Sequence, residues 1–325
     1  TSLQALVAEL RGLGHLVKLL SPTDFHAVPC PSYPEIPLAW NLWQVGPAIR
    51  EFRPDCVHLA TEGPLGWAAR RWLSKRGLAF SSAIHTRFPE YVHSRWPRIP
   101  LSWGYAYLRR FHRPSQAVLV STERMREEFA NHGLRHLQLW RKGVNCSLFQ
   151  PQEAAPVEPV FLYVGRLATE KNLRAFLDLD LPGEKRVVGD GPQRAELQTA
   201  YPQARFLGYQ QGAELAASFA TASVLVFPSR TDTYGLVMLE ALACGTPVAA
   251  FPVAGPLDVL EAGVTGVMRE DLRQACLDAL QLDRTRCAER AAQQSWRASA
   301  MEFLTHQPLL DGELVQVHEL PVLQV

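Results

Sequence analysis

No apolar run in the chain is long enough to cross a bilayer, which removes a helical membrane protein from consideration. Nothing in it reads as a secretory leader, so the expectation is a cytoplasmic protein, free or at the inner face of the membrane. There is no C-x-x-C pair. The six cysteines (Cys30, Cys56, Cys146, Cys244, Cys276 and Cys287) are scattered without zinc spacing, and reduced thiols are the simple reading. Net charge is only +1, so no global field draws the chain to nucleic acid or to an acidic polymer. Lysine is scarce: Lys18, Lys75, Lys142, Lys171 and Lys185 are the only five among 33 cationic residues, so a lysine inside a motif stands out. Internal repeats and low-complexity tracts are absent as well.

What is present suits two globular cores: 325 residues, 47% hydrophobic and 20% charged. Thr1 to Arg11 reads as an amphipathic helix with Leu3, Leu6, Val7 and Leu10 on one face, closed by Gly12 and Gly14. Short apolar runs then alternate with helical stretches. His15–Leu20, Asp55–Ala60, Leu78–His85, Ala117–Ser121 and Leu137–Arg141 read as strands. Val45–Phe52, Leu65–Arg76, Trp103–Phe111 and Arg124–His132 read as helices. The strands are continuously apolar, which argues for a parallel sheet covered on both faces. A domain of this kind begins with a strand, so the expectation is that one precedes Thr1.

Pro151 to Pro159, rich in Pro, Glu and Ala, reads as a linker, after which the pattern restarts. Strands are expected at Val160–Val164, Arg186–Val188, Arg205–Leu207, Val224–Phe227 and Pro247–Phe251. Helices are expected at Leu173–Leu177, Arg194–Ala200, Glu214–Ala220, Gly235–Ala243 and Asp271–Leu280. The domain reading is therefore 1–150, 151–290, and a closing segment 291–325. Two doubly wound domains of this kind bind ligands at the carboxyl ends of their strands.

Two segments of the second domain carry chemistry. In the first, a buried strand ends at Gly165, Arg166 follows, and Lys171 arrives at the start of a helix. Glycine permits close backbone approach to a ligand, and an arginine fork with a lysine point charge beside a helix N-terminus suits a diphosphate. The plain alternative is two solvated loop cations. In the second, Ser229 to Pro247, Asp232 precedes a helix opened by Tyr234 and Gly235, and Glu240 lies eight residues on, inside the apolar run Leu239–Leu242. A carboxylate can accept from two vicinal hydroxyls, so one acid per sugar ring fits a nucleotide sugar. A buried structural acid is the alternative for Glu240, and it needs a specific partner.

Gly165-Arg166-Leu167, Glu170-Lys171-Asn172, Gly189-Asp190-Gly191-Pro192 and the segment from Ser229 to Pro247 together resemble glycosyltransferase family 4. His85-Thr86-Arg87-Phe88-Pro89-Glu90-Tyr91 and the closing Ser295-Trp296…Phe303 helix are similar to its bacterial mannosyltransferase and glycolipid glycosyltransferase subgroup. The resemblance implies an α/β GT-B fold: two Rossmann-like doubly wound domains facing a central cleft, with the closing helix returning toward the N-terminal domain. It implies a retaining hexosyltransferase, moving a mannose- or glucose-type sugar from GDP-mannose or a UDP-hexose to a lipid or glycan acceptor. By the same resemblance Arg166 and Lys171 hold the donor diphosphate, and Glu240 the ribose hydroxyls. Asp232, where the family more often has Glu, meets the transferred sugar, assisted by backbone N–H groups near Tyr234, Gly235 and Leu236. Gly165, Gly189 and Gly191 line the donor site, and His85 contacts the donor sugar or the reacting hydroxyl. The family's chain also begins with a strand and a glycine-containing loop that has no counterpart after Thr1.

Retention without an evident nucleophile implies front-face displacement, with electrostatic stabilisation of the leaving group as the main protein contribution. Asp178-Leu179-Asp180 matches a metal motif of the other glycosyltransferase fold, yet it sits before the turn Pro182-Gly183 and reads as a solvated pair. No metal or other cofactor is expected. On the acceptor side, residues 95–113 mix cations (Arg95, Arg98, Arg109, Arg110, Arg113) with Trp96, Trp103, Tyr105 and Tyr107. That composition fits either a peripheral membrane contact or a helix packed on its own domain. Trp40, Trp43, Trp67 and Trp72 are expected in the core. Two other readings stay open: a nucleotide-sugar epimerase of the same fold, separable by donor interconversion without acceptor, and a non-catalytic nucleotide-sugar-binding module, recognised by binding without turnover.

Overall fold

The computed structural model describes residues 2–30, 33–85, 87–96, 98–152, 158–231 and 234–310. They form two compact units, one built mainly from Arg141–Ser299 and the other mainly from Val7–Trp140, with the chain from Ala300 grouped with the latter. The division falls at Trp140/Arg141 rather than at 150. Val144 forms a parallel bridge to Ser295, and Phe149 packs edge-on to Phe219 at 5.9 Å, so 141–150 belongs to the C-terminal core.

The chain opens on α1 (Ser2–Gly12), which buries Leu6 and Leu10 as its apolar spacing predicts. An antiparallel hairpin follows, β1 (Ala27–Cys30) and β2 (Tyr33–Ala39), with Ala27 opposite Ala39. Sequence reading places no strand there, because Pro29, Pro34 and Pro37 argue against one. An isolated hairpin tolerates them, since each strand has an edge that needs no ladder donor. Conversely, His15–Leu20 is not a strand. It has no ladder partner among the described residues, and Leu16 is 89% exposed.

The sheet of this unit is parallel, in the order β3 (His58–Leu59), β4 (Ser81–Ile84), β5 (Ala117–Val120), β6 (Leu137–Leu139). Helices α2 (Val45–Phe52), α3 (Pro64–Ser74), α4 (Phe88–Arg95), α5 (Leu101–His112) and α6 (Glu123–Asn131) lie between and around the strands. Leu73, Phe80 and Phe111 fill one core cluster; Ile84, Leu108, Val118 and Phe129 fill a second. Trp40 and Trp43 are not core residues. They are 55% and 66% exposed: Trp40 stacks on His26 beside the hairpin, and Trp43 meets Trp40 edge-on. Trp67 and Trp72 are half-buried.

The second unit is a six-stranded parallel sheet in the order β12-β11-β10-β7-β8-β9. Its strands are β7 (Val160–Val164), β8 (Glu184–Val188), β9 (Arg205–Gly208), β10 (Val224–Phe227), β11 (Val248–Ala250) and β12 (Gly266–Met268). Successive side chains go to opposite faces: Phe161 and Tyr163 enter one core cluster, Val160 and Leu162 the other. Burial on both faces explains why these strands read as unbroken apolar runs. The covering helices are α7 (Arg174–Leu177), α8 (Arg194–Ala200), α9 (Gly212–Ala220), α10 (Leu236–Ala243), α11 (Ala254–Val259), α12 (Leu272–Ala279) and α13 (Arg284–Ala292), before α14 (Trp296–Thr305) closes the described chain. Cys244, Cys276 and Cys287 are free thiols raised by burial to about 12, 12 and 11, which suits packing rather than reactivity. No described helix is long and apolar enough to span a membrane.

Candidate functional site

Strand order locates the site. The chain lays down β7, β8 and β9 in one direction and then returns to place β10 on the other side of β7. Such a reversal leaves a crevice outside the carboxyl ends of the two strands. Arg166 follows β7 and the loop Pro228–Gly235 follows β10, so both motif segments stand at that switch point.

The loops there are knitted by backbone. The Gly165 N–H donates to Val188 O at 3.0 Å, Leu167 N–H to Asp190 O at 2.9 Å, and Gln193 N–H to Leu167 O at 3.0 Å. This interlacing accounts for two glycines. A Cβ on Gly189, whose φ is +136°, would lie 1.9 Å from Gly165 O, and one on Gly191 would lie 2.4 Å from Leu167 O. Their smallness therefore serves the packing of one loop on another, whatever else they line. Asp190 takes the Gly191 N–H at 2.7 Å and the Arg194 guanidinium at 2.9 Å, and both hold its carboxyl below the usual range, the backbone donor first.

Arg166 is exposed, its carbonyl taken by the Tyr163 hydroxyl at 2.9 Å, so the guanidinium is left to solvent while its backbone is fixed. Lys171 ends a single 3-10 turn, Thr169–Lys171, and is half-buried. Asn172 follows in the left-handed region at φ +54° and donates to Pro228 O at 3.2 Å, while Thr231 Oγ1 donates to Glu170 O at 3.3 Å. The two motif loops are thus tied together across β7 and β10. Asp232 lies outside the described residues.

Tyr234 is buried, its hydroxyl 3.3 Å from Gln294 Oε1 and 3.5 Å from Lys142 O. Its side chain is occupied inside the unit, which leaves only its backbone for a ligand. Gly235, at φ +69°, is the residue before α10, and Leu236 opens the helix, so the free N–H groups of a first turn lie beside the cationic loop. Glu240 is the fifth residue of α10. It is half-buried, no described donor hydrogen-bonds its carboxylate, and burial pushes that carboxyl up to about 7. A paired structural acid would show a side-chain or backbone donor, and none of the described residues supplies one to Glu240.

Sequence reading overlooks Lys142, although the scarcity of lysine is the signal that finds it. It is only 6% exposed, and burial pulls its ammonium down to about 7. In the N-terminal unit, His85 is the residue after β4, at the carboxyl end of a parallel strand, its ring edge-on to buried Trp140 at 5.8 Å. Downstream, Arg87 pairs with Glu128 at 2.6 Å, and the single Tyr105 O–H is within reach of two acceptors, Glu90 and, at 2.9 Å, Glu128. Tyr105 and Tyr107 therefore do not serve a surface patch: Tyr105 is buried, and the Tyr107 hydroxyl donates to Glu62 O at 2.6 Å. Trp96 and Trp103 are exposed. Asp178 accepts from the Tyr201 hydroxyl at 2.5 Å, and no cluster of three or more metal-ligating side chains occurs among the described residues.

A cationic loop, a helix N-terminus and a half-buried carboxylate at a switch point form an arrangement suited to an anionic ligand in a doubly wound α/β enzyme. Residues 158–282 match the model of the glycosyl transferases group 1, and residues 1–148 that of glycosyltransferase family 4. A GDP-mannose-dependent alpha-mannosyltransferase of Mycobacterium tuberculosis (strain CDC 1551 / Oshkosh) is 31% identical over 257 residues, spanning 75% of this chain and 68% of that protein. The sulfoquinovosyl transferase SQD2 of Arabidopsis thaliana is 30% identical over 267 residues, 74% of this chain and about half (52%) of that protein's length. Among solved structures, a sucrose-phosphate synthase from Thermosynechococcus elongatus superposes with a TM-score of 0.68 at 21% identity, over 82% of this chain and 76% of that one. Anabaena HepE in complex with UDP does so with 0.65 at 15%, over 81% and 80%. Those two likenesses concern the fold, which is GT-B. The chain belongs to the family 4 glycosyltransferases.

Proposed function

We propose that this glycosyltransferase moves mannose from GDP-mannose to a lipid or glycan acceptor with retention of configuration and without a metal ion. The observation that carries the donor half is Glu240: a half-buried carboxylate with no hydrogen-bond donor among the described residues, in the helix that opens at the switch point. Two vicinal ribose hydroxyls would supply the donors it lacks, and their hydrogen bonds favour the ionised form. Arg166 and Lys171 then face the diphosphate and offset the charge that develops as the nucleotide leaves. The N–H groups near Tyr234, Gly235 and Leu236, together with Asp232, orient the hexose, and His85 meets the sugar or the attacking hydroxyl. The leaving phosphate oxygen receives the acceptor's proton in a front-face displacement.

Mannose is preferred over a UDP-linked hexose because relatives in several organisms carry GDP-mannose in their names. The acceptor is a lipid or glycan at the inner membrane face, met in part through exposed Trp96 and Trp103. Turnover with GDP-mannose, UDP-glucose, UDP-galactose and UDP-glucuronate over a panel of lipid and glycan acceptors tests this. Transfer from GDP-mannose with α-anomeric product is expected. Donor interconversion without acceptor, or binding of every donor without transfer, would replace the proposal with an epimerase or a binding module.

A further inference from the structure

The amino-terminal end of the N-terminal unit's sheet carries a cluster of cations remote from His85. Parallel strands put His85 at the carboxyl end, after β4; the segments that lead into β5 and β6 lie at the amino end. There, Arg109, Arg110 and Arg113 at the end of α5, Arg70 from α3, and Arg135 and His136 just before β6 surround a cavity of about 700 Å³. No acidic residue lines it, and none of the five arginines pairs with a carboxylate among the described residues.

The ordinary explanation for cations at a helix end is the helix dipole. That dipole places about half a negative charge at the end of α5, too little to offset five guanidinium groups drawn from three segments. Two of the five are held in place rather than left to drift. Arg70 Nε donates to Phe111 O and its Nη2 to Arg110 O, both at 2.7 Å, and Arg109 Nη1 donates to His132 O at 2.9 Å. Trp67 supports the wall, with Arg70 at 4.8 Å and Arg110 at 5.9 Å from its ring centre. Burial lowers the Arg70 pKa, and the neighbouring Arg110 charge lowers it further. The buried His112 beside the cavity is engaged inward, with Ser82 Oγ at 2.7 Å and Glu62 Oε1 at 3.2 Å, so it does not neutralise the wall.

We infer that this cavity is a binding site for a phosphate group, carried either by a soluble phosphorylated molecule or by a lipid headgroup. Planar guanidinium forks match phosphate oxygens two at a time, and a dianion would relieve the repulsion among the arginines. Arg113 and Arg135 are exposed and make no side-chain hydrogen bond within the protein, so they are the groups left to meet the ligand.

The test is binding of two probes to the whole chain. Inorganic pyrophosphate is titrated calorimetrically in an Arg166→Ala/Lys171→Ala background, which removes the two cations proposed to hold the donor diphosphate. Phosphatidylcholine vesicles with and without phosphatidic acid are used in co-sedimentation. Arg113→Gln/Arg135→Gln, and separately Arg110→Gln, should melt like their parents and weaken the competent probe roughly tenfold or more, since each removes a charge-assisted hydrogen bond. Pyrophosphate binding identifies a soluble ligand; dependence on phosphatidic acid alone identifies a headgroup. Binding of neither probe, or binding undiminished in both folded variants, overturns the site.

Discussion

Replacing Glu240 with glutamine should stabilise the protein while weakening its grip on nucleotide. The carboxyl titrates near 7 in the folded chain because burial disfavours its charged form. Unfolded, it would titrate near 4.5. A group whose folded pKa is raised contributes stability that is complete below the unfolded value and lost as pH rises through the folded one. Between about pH 4.5 and 7 the wild type therefore loses stability, and above 7 it carries the full penalty of an ionised, partly desolvated acid. Each unit of separation is worth about 1.4 kcal/mol, so the penalty is about 3 kcal/mol at most, and partial exposure brings it to about 1–3 kcal/mol. For a unit of this size that is a rise of roughly 3–8 °C in melting temperature for Glu240→Gln at pH 8, shrinking to nothing near pH 4.5. The same change should weaken GDP and GDP-mannose alike, by roughly tenfold to a hundredfold, because each hydrogen bond from a hydroxyl to a charged oxygen is worth about 1.5–3 kcal/mol. Wild-type affinity for GDP should also rise from pH 6 to 8, because the bound hydroxyls favour the ionised carboxylate, whereas the glutamine variant should be flat. Scanning fluorimetry across pH with calorimetric titration measures both effects. A variant that melts lower than wild type at pH 8 would mean a paired structural acid. One that melts higher yet binds GDP normally would detach Glu240 from the nucleotide.

Lys142 should show the opposite pH slope: its folded pKa is depressed by burial, so stability falls as pH drops from about 10.5 to 7, and Lys142→Met should gain most at pH 6 and least near pH 10. Equal melting shifts at both pH values would refute that. Arg166→Ala and Lys171→Ala should each reduce transfer tenfold to a hundredfold, roughly, with melting temperatures within about 2 °C of wild type; near-normal turnover in either would move the diphosphate elsewhere. Gly189→Ala should destabilise by about 3 kcal/mol or more, because its Cβ would stand 1.9 Å from Gly165 O at a φ of +136°; native-like melting would show that the loops have slack. Transfer should persist in excess EDTA, and activity lost to the chelator and restored by manganese would return a metal to the mechanism.

How far these features can be read from residue order depends on whether their cause is local. β7 and β10 are legible to the residue, since a parallel strand buried on both faces must be an unbroken apolar run. Helix α10 is legible because Gly235 starts it and Cys244-Gly245 stops it. The hairpin β1–β2 is not, because its prolines deny a strand to any reader who does not know that both strands have a free edge. His15–Leu20 errs the other way: it has a strand's composition, but composition cannot supply a neighbour to pair with.

The site divides along the same line. Arg166, Lys171 and Glu240 stand out in the sequence because each follows a local signal at the end of a strand or inside a helix motif. That no described donor bonds Glu240 while burial raises its pKa is a property of the packed unit, and it favours a ligand-facing acid over a structural one. The two glycines show the reverse hazard. Gly189 and Gly191 look like residues kept small for a ligand, but backbone 1.9 and 2.4 Å from their absent Cβ atoms already requires glycine. The arginine cavity is the extreme case. Arg70 and Arg135 are 65 residues apart, and each alone is an unremarked surface cation. Their common function exists only because α3 and the turn before β6 meet at the end of α5, a convergence set by the strand order and invisible to any window along the chain.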